Sequence, residues 1–182
     1  PDEIIDRVAG RHLFDVILDA VPELQSAAYI LRPSSSAGII LPDGTQNPAT
    51  GFHAWVLVRN AQTVPELLKT ISDVLWSRGF GFIKVSKAGH LLERTLIDRA
   101  VDGPERLIFE SDPIVEMPLI RTAPEPRVNI GEPLTSVQGP DVDIEALKTE
   151  AKKSVSGYAK SQRETFEKTQ IDRIRKRDKV TV

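Results

Sequence analysis

Two polar residues occur within apolar stretches of this sequence, where their side chains could take part in chemistry. His53 follows Gly51 and Phe52 and precedes the apolar run Ala54-Trp55-Val56-Leu57-Val58. The nearby glycine lacks a side chain, so a ligand could approach the backbone there, and an imidazole N–H can donate to an anionic oxygen. The pattern therefore predicts either an anion contact at His53 or an ordinary half-buried histidine.

The second residue is Asp98, in the stretch Thr95-Leu96-Ile97-Asp98-Arg99-Ala100-Val101. Alternation along a strand would turn its carboxylate either toward the core or toward a cleft. Because aspartate is rarely buried unless it is paired or bound to a metal ion, Asp98 is either a metal ligand or one half of an ion pair. Arg94 and Arg106 are its candidate partners in the second case.

The composition excludes several other kinds of site and protein. The 182 residues include 24 Lys+Arg, 26 Asp+Glu, three histidines and no cysteine. This excludes a disulfide scaffold, a thiol nucleophile and Cys-ligated zinc, and the G-x-x-x-x-G-K-[ST], G-x-G-x-x-G and G-x-S-x-G motifs are missing as well. No apolar run approaches the roughly 20 residues that cross a bilayer. We therefore expect a cytoplasmic protein without a membrane partner.

The charges divide the chain into an acidic body and a basic tail. Residues 1–140 carry 13 Lys+Arg and 18 Asp+Glu, whereas residues 141–182 carry 11 and 8. We predict a body over 1–140 and a charged helical extension over 141–182. The densest positive cluster of this extension, which we expect to contact nucleic acid, comprises Arg173, Arg175, Lys176, Arg177 and Lys179. A solvated helix end, favoured by its cations, is the alternative.

Hydrophobic periodicity predicts the elements that must position these residues. Apolar residues recur every three or four positions over about the first 20 residues, where Gly10 can split the helix. They do so again from residue 64 to Gly79, after a capping box that begins at Thr63. Strands are predicted over 27–32, 39–41, 52–59 and 80–86, so that residues 52–86 form a β-α-β unit.

The second half of the chain is predicted to begin with a hairpin of strands 91–101 and 106–109. Residues 111–140 contain many prolines and glycines, and we expect them to run as extended chain over the body. From Asp141 onward the pattern predicts a helix, with Gly157 as a point where it can break. Together these elements make an α+β fold, in which a mixed sheet is backed by helices and followed by a C-terminal helical extension.

Several stretches resemble the archaeo-eukaryotic-type primases and primase-polymerases, in the variety carried by plasmids, phages and integrated elements. Gly51-Phe52-His53-Ala54-Trp55-Val56-Leu57-Val58 is similar to the small-x-His motif of that family. Residues 87–101 and the following Pro104-Glu105-Arg106-Leu107-Ile108-Phe109 are similar to its third motif, a hydrophobic-Asp step followed by P-x-R-L-x-F. Residues 33–38 and 75–82 also resemble the corresponding parts, so the resemblance runs from about residue 10 to 135.

The resemblance implies an RRM-like catalytic module that uses two divalent metal ions, Mg²⁺ or Mn²⁺, for nucleotidyl transfer in replication initiation of a mobile element. Asp98 would be a metal ligand and His53 would contact the phosphate of the incoming nucleotide, with their side chains on one sheet face and on the order of 10 Å apart. Arg94 and Arg106 would be further phosphate contacts or an orienting pair. The implied partners are nucleoside triphosphates, a single-stranded DNA template and a helicase or another replication protein.

The first motif of the family is missing from this sequence. In the family a hydrophobic-Asp-x-Asp strand precedes the opening helix, whereas residues 1–50 contain no D-x-D and Asp141-Val142-Asp143 comes too late. We expect either a fragment of a longer primase, which the absence of an initial Met favours, or a relative that has lost catalysis. A non-catalytic nucleic-acid or replisome binding module with an RRM-like sheet is the alternative function, and a structural partner of an unrelated enzyme is a third.

Overall fold

Helices occupy the three stretches in which apolar residues recur every three or four positions. A computed structural model describes residues 8, 10–46, 51–101, 103, 113–123 and 125–179, with the side chains of 175–179 left out of the description. The helices are α1 (Leu13–Ala20), α2 (Val64–Ser77) and α3 (Ile144–Lys179). Short 3₁₀ turns lie at Pro22–Leu24, Ala61–Thr63 and Arg99–Val101.

The break of the opening helix at Gly10, which the sequence allowed, is present: Val8 is helical, residues 1–7 and 9 lie outside the described residues, and α1 begins at Leu13. Gly10 has a positive φ of 74°, which only glycine adopts readily, and the chain turns there. His12 then caps α1, because its Nδ1 accepts a hydrogen bond from the Phe14 N–H at 3.2 Å. One of the three histidines therefore has a structural role at a helix start.

The second helix is confirmed, with the predicted start at residue 64 and the predicted end before Gly79, although its cap differs. Asn60 rather than Thr63 supplies the capping oxygen of the preceding 3₁₀ turn, accepting from the Gln62 N–H at 3.0 Å. At the far end Gly79 has a φ of 79°, and the N–H of Phe80 reaches the carbonyl of Leu75 at 2.8 Å. This is the hydrogen-bond pattern of a glycine-terminated helix.

Seven short strands form three separate antiparallel sheets in the described residues. The strands are β1 (Tyr29–Pro33), β2 (Ile39–Ile40), β3 (Phe52–Val56), β4 (Phe82–Val85), β5 (Leu91–Arg94), β6 (Ile120–Arg121) and β7 (Arg127–Asn129). Their order is β3-β1-β7 in the first sheet, β2-β6 in the second and β4-β5 in the third. The α+β class is confirmed, but these strands do not share the one mixed sheet that the sequence suggested.

The predicted β-α-β unit over residues 52–86 is wrong as a pairing scheme. Its strands β3 and β4 exist on either side of α2, yet β3 pairs with β1 and β4 pairs with β5. A hairpin does form, but from β4 and β5 around Gly89, whose N–H donates to the Ser86 carbonyl at 2.9 Å. The predicted partner strand 106–109 lies outside the described residues.

The predicted strand 91–101 ends early, at Arg94. Thr95 causes the change of direction, because its hydroxyl lies 3.4 Å from the Ile97 N–H and 3.3 Å from the Ile97 carbonyl. Such local hydrogen bonds from threonine compete with a strand ladder. The chain then bends and enters the 3₁₀ turn Arg99–Val101, so that Asp98 lies on no strand.

The chain forms two compact units, each assembled from separate stretches. The first comprises residues up to 21, 68–99 and 138 onward, and the second comprises 22–67 and 100–137. Helix α3 belongs to the first unit, together with residues 68–99. The buried side chains of the first unit are mainly Phe14, Ile17, Ile71, Leu75, Trp76, Ile83 and Ala159, and those of the second are Leu24, Ala27, Tyr29, Leu31, Ala37 and Leu134.

The C-terminal helix is continuous through Gly157, where the sequence allowed a break. Its first half packs against β4 and β5. The approach is close at Gly89, where an added Cβ would lie 2.6 Å from the Ala159 carbonyl oxygen, so a side chain there would separate hairpin and helix. No helix within the described ranges has both the length and the apolar character required of a membrane span.

Candidate functional site

The predicted phosphate contact, His53, lies on β3 at one edge of the β3-β1-β7 sheet. Its cross-strand partner on β1 is Arg32, directly opposite in the antiparallel register. Opposed residues in such a pair project from the same face, so the imidazole and the guanidinium emerge side by side. We call these two residues the basic pair. Both are half-buried.

The next row on the same face is apolar and exposed. Two residues further along β3, Trp55 lies opposite Ile30, which in turn lies opposite Val128 on β7. Their exposed fractions are 40%, 46% and 63%, which is high for large apolar side chains in a sheet. We call these three residues the apolar row. Rows two residues apart on a strand are about 7 Å apart, so the apolar row adjoins the basic pair.

The face continues beyond the apolar row into an open groove. The groove has a volume of about 290 Å³ and is lined by Ala28, Tyr29, Ile30, Leu57, Val128, Asn129, Ile130 and Gly131. Leu57 and Ile130 are exposed at its end. On the opposite side of the sheet Tyr29 and Leu31 of the central strand β1 are buried, whereas Ala54 and Arg127, on either side of Leu31, are exposed. The core residues of the sheet are thus on that side, and the apolar row is on the outward side.

The other end of the face is polar and small. Ser34 and Gly51 form the pair beyond the basic pair, and the Ser34 N–H donates to the Gly51 carbonyl at 2.9 Å. A Cβ on Gly51 would lie 3.2 Å from Ser34 Oγ. The space left by the missing side chain is thus used by Ser34, and not by an approaching ligand as the sequence had suggested. From this end, successive rows of the face carry a hydroxyl group, then the basic pair, then the apolar row with Trp55, and finally aliphatic side chains.

The predicted metal ligand, Asp98, lies in the first unit, in the exposed bend between β5 and the turn Arg99–Val101. The expectation that Asp98 and His53 emerge from one sheet face is wrong, since Asp98 is not part of a sheet. Arg94 is exposed at the end of β5, where its guanidinium donates to the Glu93 carbonyl at 2.9 Å. Arg106 lies outside the described residues.

A metal site cannot be assembled from the described residues by themselves. Among them, no three or more histidine, aspartate or glutamate side chains are grouped closely enough to hold an ion. The metal-binding role of Asp98 therefore stays a prediction that depends on carboxylates from elsewhere. The basic cluster of the tail also stays a prediction: Arg173 is exposed on α3, and the side chains of Arg175, Lys176, Arg177 and Lys179 are outside the description.

Comparisons of the chain with family models, with curated proteins and with solved structures find no match. Its function has to be inferred from its own residues and from the motif resemblance. Of the predicted residues, the structure gives His53 a partner of suitable chemistry, Arg32. Sequence reasoning missed Arg32, although its place at the end of a predicted strand was a signal. Which residue of another strand it would face could not be read from the sequence.

A second group of charged residues lies in the first unit, around Lys148 of α3. This lysine is only 5% exposed. Its Nζ lies 2.9 Å from Glu145, 3.5 Å from Glu93 and 3.6 Å from Asp73. Glu93 also accepts a hydrogen bond from Lys152 at 2.6 Å. We call these five residues the lysine cluster, and they connect α2, β5 and α3.

The charges of the lysine cluster change the pKa values of its members. Burial lowers the pKa of Lys148, but the hydrogen bond to Glu145 and the attraction of Glu93 and Asp73 outweigh burial and raise it overall. The hydrogen bond from Lys152 lowers the pKa of Glu93 more than burial raises it, and the nearby charge of Lys148 lowers it further. Both shifts favour the charged forms of Lys148 and Glu93, whereas Oδ1 of the buried Asp73 accepts no hydrogen bond from the described residues. The arrangement indicates a structural role.

Proposed function

We propose that this chain is part of the catalytic core of a primase or primase-polymerase, and that its basic pair binds the phosphates of a nucleotide. The observation that carries the proposal is the pairing of Arg32 with His53 across β1 and β3. Two adjacent cationic or N–H-donating side chains can bind one phosphate with charge-assisted hydrogen bonds. The motif around His53 independently resembles the small-x-His motif of these enzymes.

The proposal assigns one task to the basic pair and another to Asp98, which lies in the other unit. His53 and Arg32 would bind and orient the triphosphate, which is a positioning task that contributes to phosphoryl-type transfer. Asp98 would be a metal ligand by resemblance alone. The described residues do not complete a metal site. Phosphate binding by His53 and Arg32 is therefore the step of the reaction to which the described side chains would contribute.

Nucleotidyl transfer tests the catalytic part of the proposal. In a form of the protein that carries a D-x-D strand, Asp98→Asn should abolish primer synthesis while the far-UV circular dichroism stays unchanged, because the amide keeps the size of the side chain but loses its charge. Asp172→Asn, on exposed α3, is the matched control and should leave the rate unchanged. Full activity of Asp98→Asn would contradict the assignment.

The same assignment predicts the metal affinity of the 182 residues. A single carboxylate supplies few of the six or so oxygen ligands that Mg²⁺ or Mn²⁺ prefers, so binding measured by calorimetry should be weak. Primer synthesis by these residues alone, at an ordinary enzymatic rate, would show that the metal ligands lie elsewhere.

The second candidate is a non-catalytic nucleic-acid binding module. The exposed apolar row beside the basic pair favours it, because RRM-type sheets bind single strands through aromatic residues on an open face. Loss of oligonucleotide binding on mutation of this face, in a parent protein that shows no nucleotidyl transfer, would decide for this module.

A further inference from the structure

We propose that the exposed face of the β3-β1-β7 sheet binds single-stranded nucleic acid by stacking a base on Trp55. The proposal rests on the proposed function, since it assumes that the basic pair on this face binds phosphate. It adds a subsite for the base and identifies Trp55 as the residue that supplies it.

The exposure of Trp55 is the first argument. The second tryptophan of the chain, Trp76, is buried, and its ring packs over Gly81. Trp55 instead projects from the outward face with two fifths of its surface accessible. Burial of an aromatic side chain contributes a large favourable free energy to folding, and an exposed tryptophan in a regular strand lacks much of it. A planar ligand that covers the ring would recover it.

The neighbours of Trp55 determine which ligand fits. Ile30 and Val128 extend the apolar row across the sheet, and the basic pair begins about 7 Å away along β3. A nucleotide has this combination of a flat apolar base and an anionic phosphate separated by a sugar. The positive charge beside the apolar row therefore favours a nucleic acid over a purely apolar partner such as a second copy of the chain.

The proposed contact also predicts how the affinity for nucleic acid depends on salt concentration. Affinity from phosphate contacts falls as salt rises, because cations on the protein release counterions from the nucleic acid. Base stacking releases none, so it should contribute equally at all salt concentrations. Trp55 and the cationic tail are thus expected to affect binding in two separable ways.

The experiment uses the 182-residue chain and an oligothymidylate of about ten nucleotides, within the site sizes of small single-strand binding folds. A second oligomer of equal length without bases presents the phosphates alone. Binding is followed by the fluorescence anisotropy of an end-labelled oligomer, a signal that does not depend on the tryptophan that is replaced. Trp55→Ala should weaken its affinity roughly 5- to 100-fold, the usual range for losing one stacked base, without changing the salt slope. Trp55→Phe should retain most of the affinity.

The matched control is Tyr158→Ala, which removes another exposed aromatic side chain, on α3, and should leave the affinity unchanged. Equal affinities of Trp55→Ala and wild type, or of the two oligomers for the wild type, would overturn the proposal. So would a sedimentation result in which Trp55 holds two copies of the chain together. His53→Ala, measured with a nucleoside triphosphate, tests the proposed function separately, so that failure of the phosphate site can be distinguished from failure of base stacking.

Discussion

Two groups of basic side chains in the described residues, the lysine cluster and the basic pair, differ in what surrounds them. Around Lys148 the positive charges lie within 4 Å of carboxylates from three elements, and the central lysine is buried. Around His53 the basic pair lies at the edge of an outward sheet face, next to an exposed apolar row. The first group is matched by the chain itself. The second adjoins surface that the chain leaves uncovered.

This difference indicates which group carries function. A buried and compensated charge cluster is a poor ligand site, because a ligand would have to displace partners that already neutralise it. Such clusters can specify one packing arrangement, which here would be the position of α3 on β4 and β5. An exposed face that changes from basic to aromatic offers both charge and apolar area to a ligand. We therefore assign binding to the sheet and structure to the lysine cluster.

Removing Lys148 should have the largest effect on stability. Lys148→Met leaves the buried Asp73 without one of its cations, and breaking a buried pair in this way costs about 3–5 kcal/mol. Lys69, which contacts Asp73 at 2.6 Å, should keep the loss near the lower value. Urea denaturation measures the free energy of unfolding.

Lys153→Met is the matched control for this experiment. Lys153 lies on the same helix but pairs with Glu150 at the surface, 3.6 Å away. Its replacement should cost less than about 1 kcal/mol. Equal losses in the two variants would remove the distinction between the lysine cluster and an ordinary charged surface.

The basic tail should affect affinity for nucleic acid through phosphate contacts alone. Deleting residues 170–182 removes its five clustered cations, and each lost contact to a single strand should reduce the salt slope by about 0.7. The affinity for an oligothymidylate should fall on the order of tenfold at low salt. Binding across a salt series measures both quantities, and an unchanged slope would leave the tail as a solvated helix end.

The smallest expected effect is the pH dependence that Glu93 contributes. Its pKa is lower in the folded chain than the usual 4.5, so it stabilises the fold above that value. This contribution is lost as the pH falls from about 5 through the folded pKa. The pair is partly exposed, so the loss should be about 1 kcal/mol or less. The free energy of unfolding is measured between pH 3 and 6, and Glu93→Gln should remove this part of its pH dependence. The same pH dependence in the variant and the wild type would show that Lys152 does not stabilise the charged form of Glu93.

The sequence predicted helices better than strand pairing, for a physical reason. The apolar stripe of α2 is local, and the glycine that ends it can be recognised within a few residues. The β1–β7 ladder joins Tyr29 to Asn129, a hundred positions away, and no local pattern identifies such a partner. The predicted β-α-β unit was wrong because its two strands were paired by proximity in the sequence.

The candidate site was predictable only in part, for the same reason. Alternation along the predicted strand 52–59 puts His53 and Trp55 on one face, as they are on β3. Arg32 became relevant only through its register opposite His53. Asp98 was placed on a strand because the stretch is apolar, and the hydrogen bonds of Thr95 ended that strand first. The burial of Lys148 depends on α2 and β5, which the charge pattern of the tail alone could not reveal.

The most direct test of the central claim is the affinity of the chain for a nucleoside triphosphate, measured by isothermal titration calorimetry with His53→Ala. A hydrogen bond to a charged group contributes about 1.5–3 kcal/mol, so binding should weaken at least tenfold. His90→Ala, which removes an exposed histidine on the β4–β5 turn, is the matched control and should bind like the wild type. Unchanged affinity in His53→Ala, or an equal loss in His90→Ala, would contradict the assignment of phosphate binding to the basic pair.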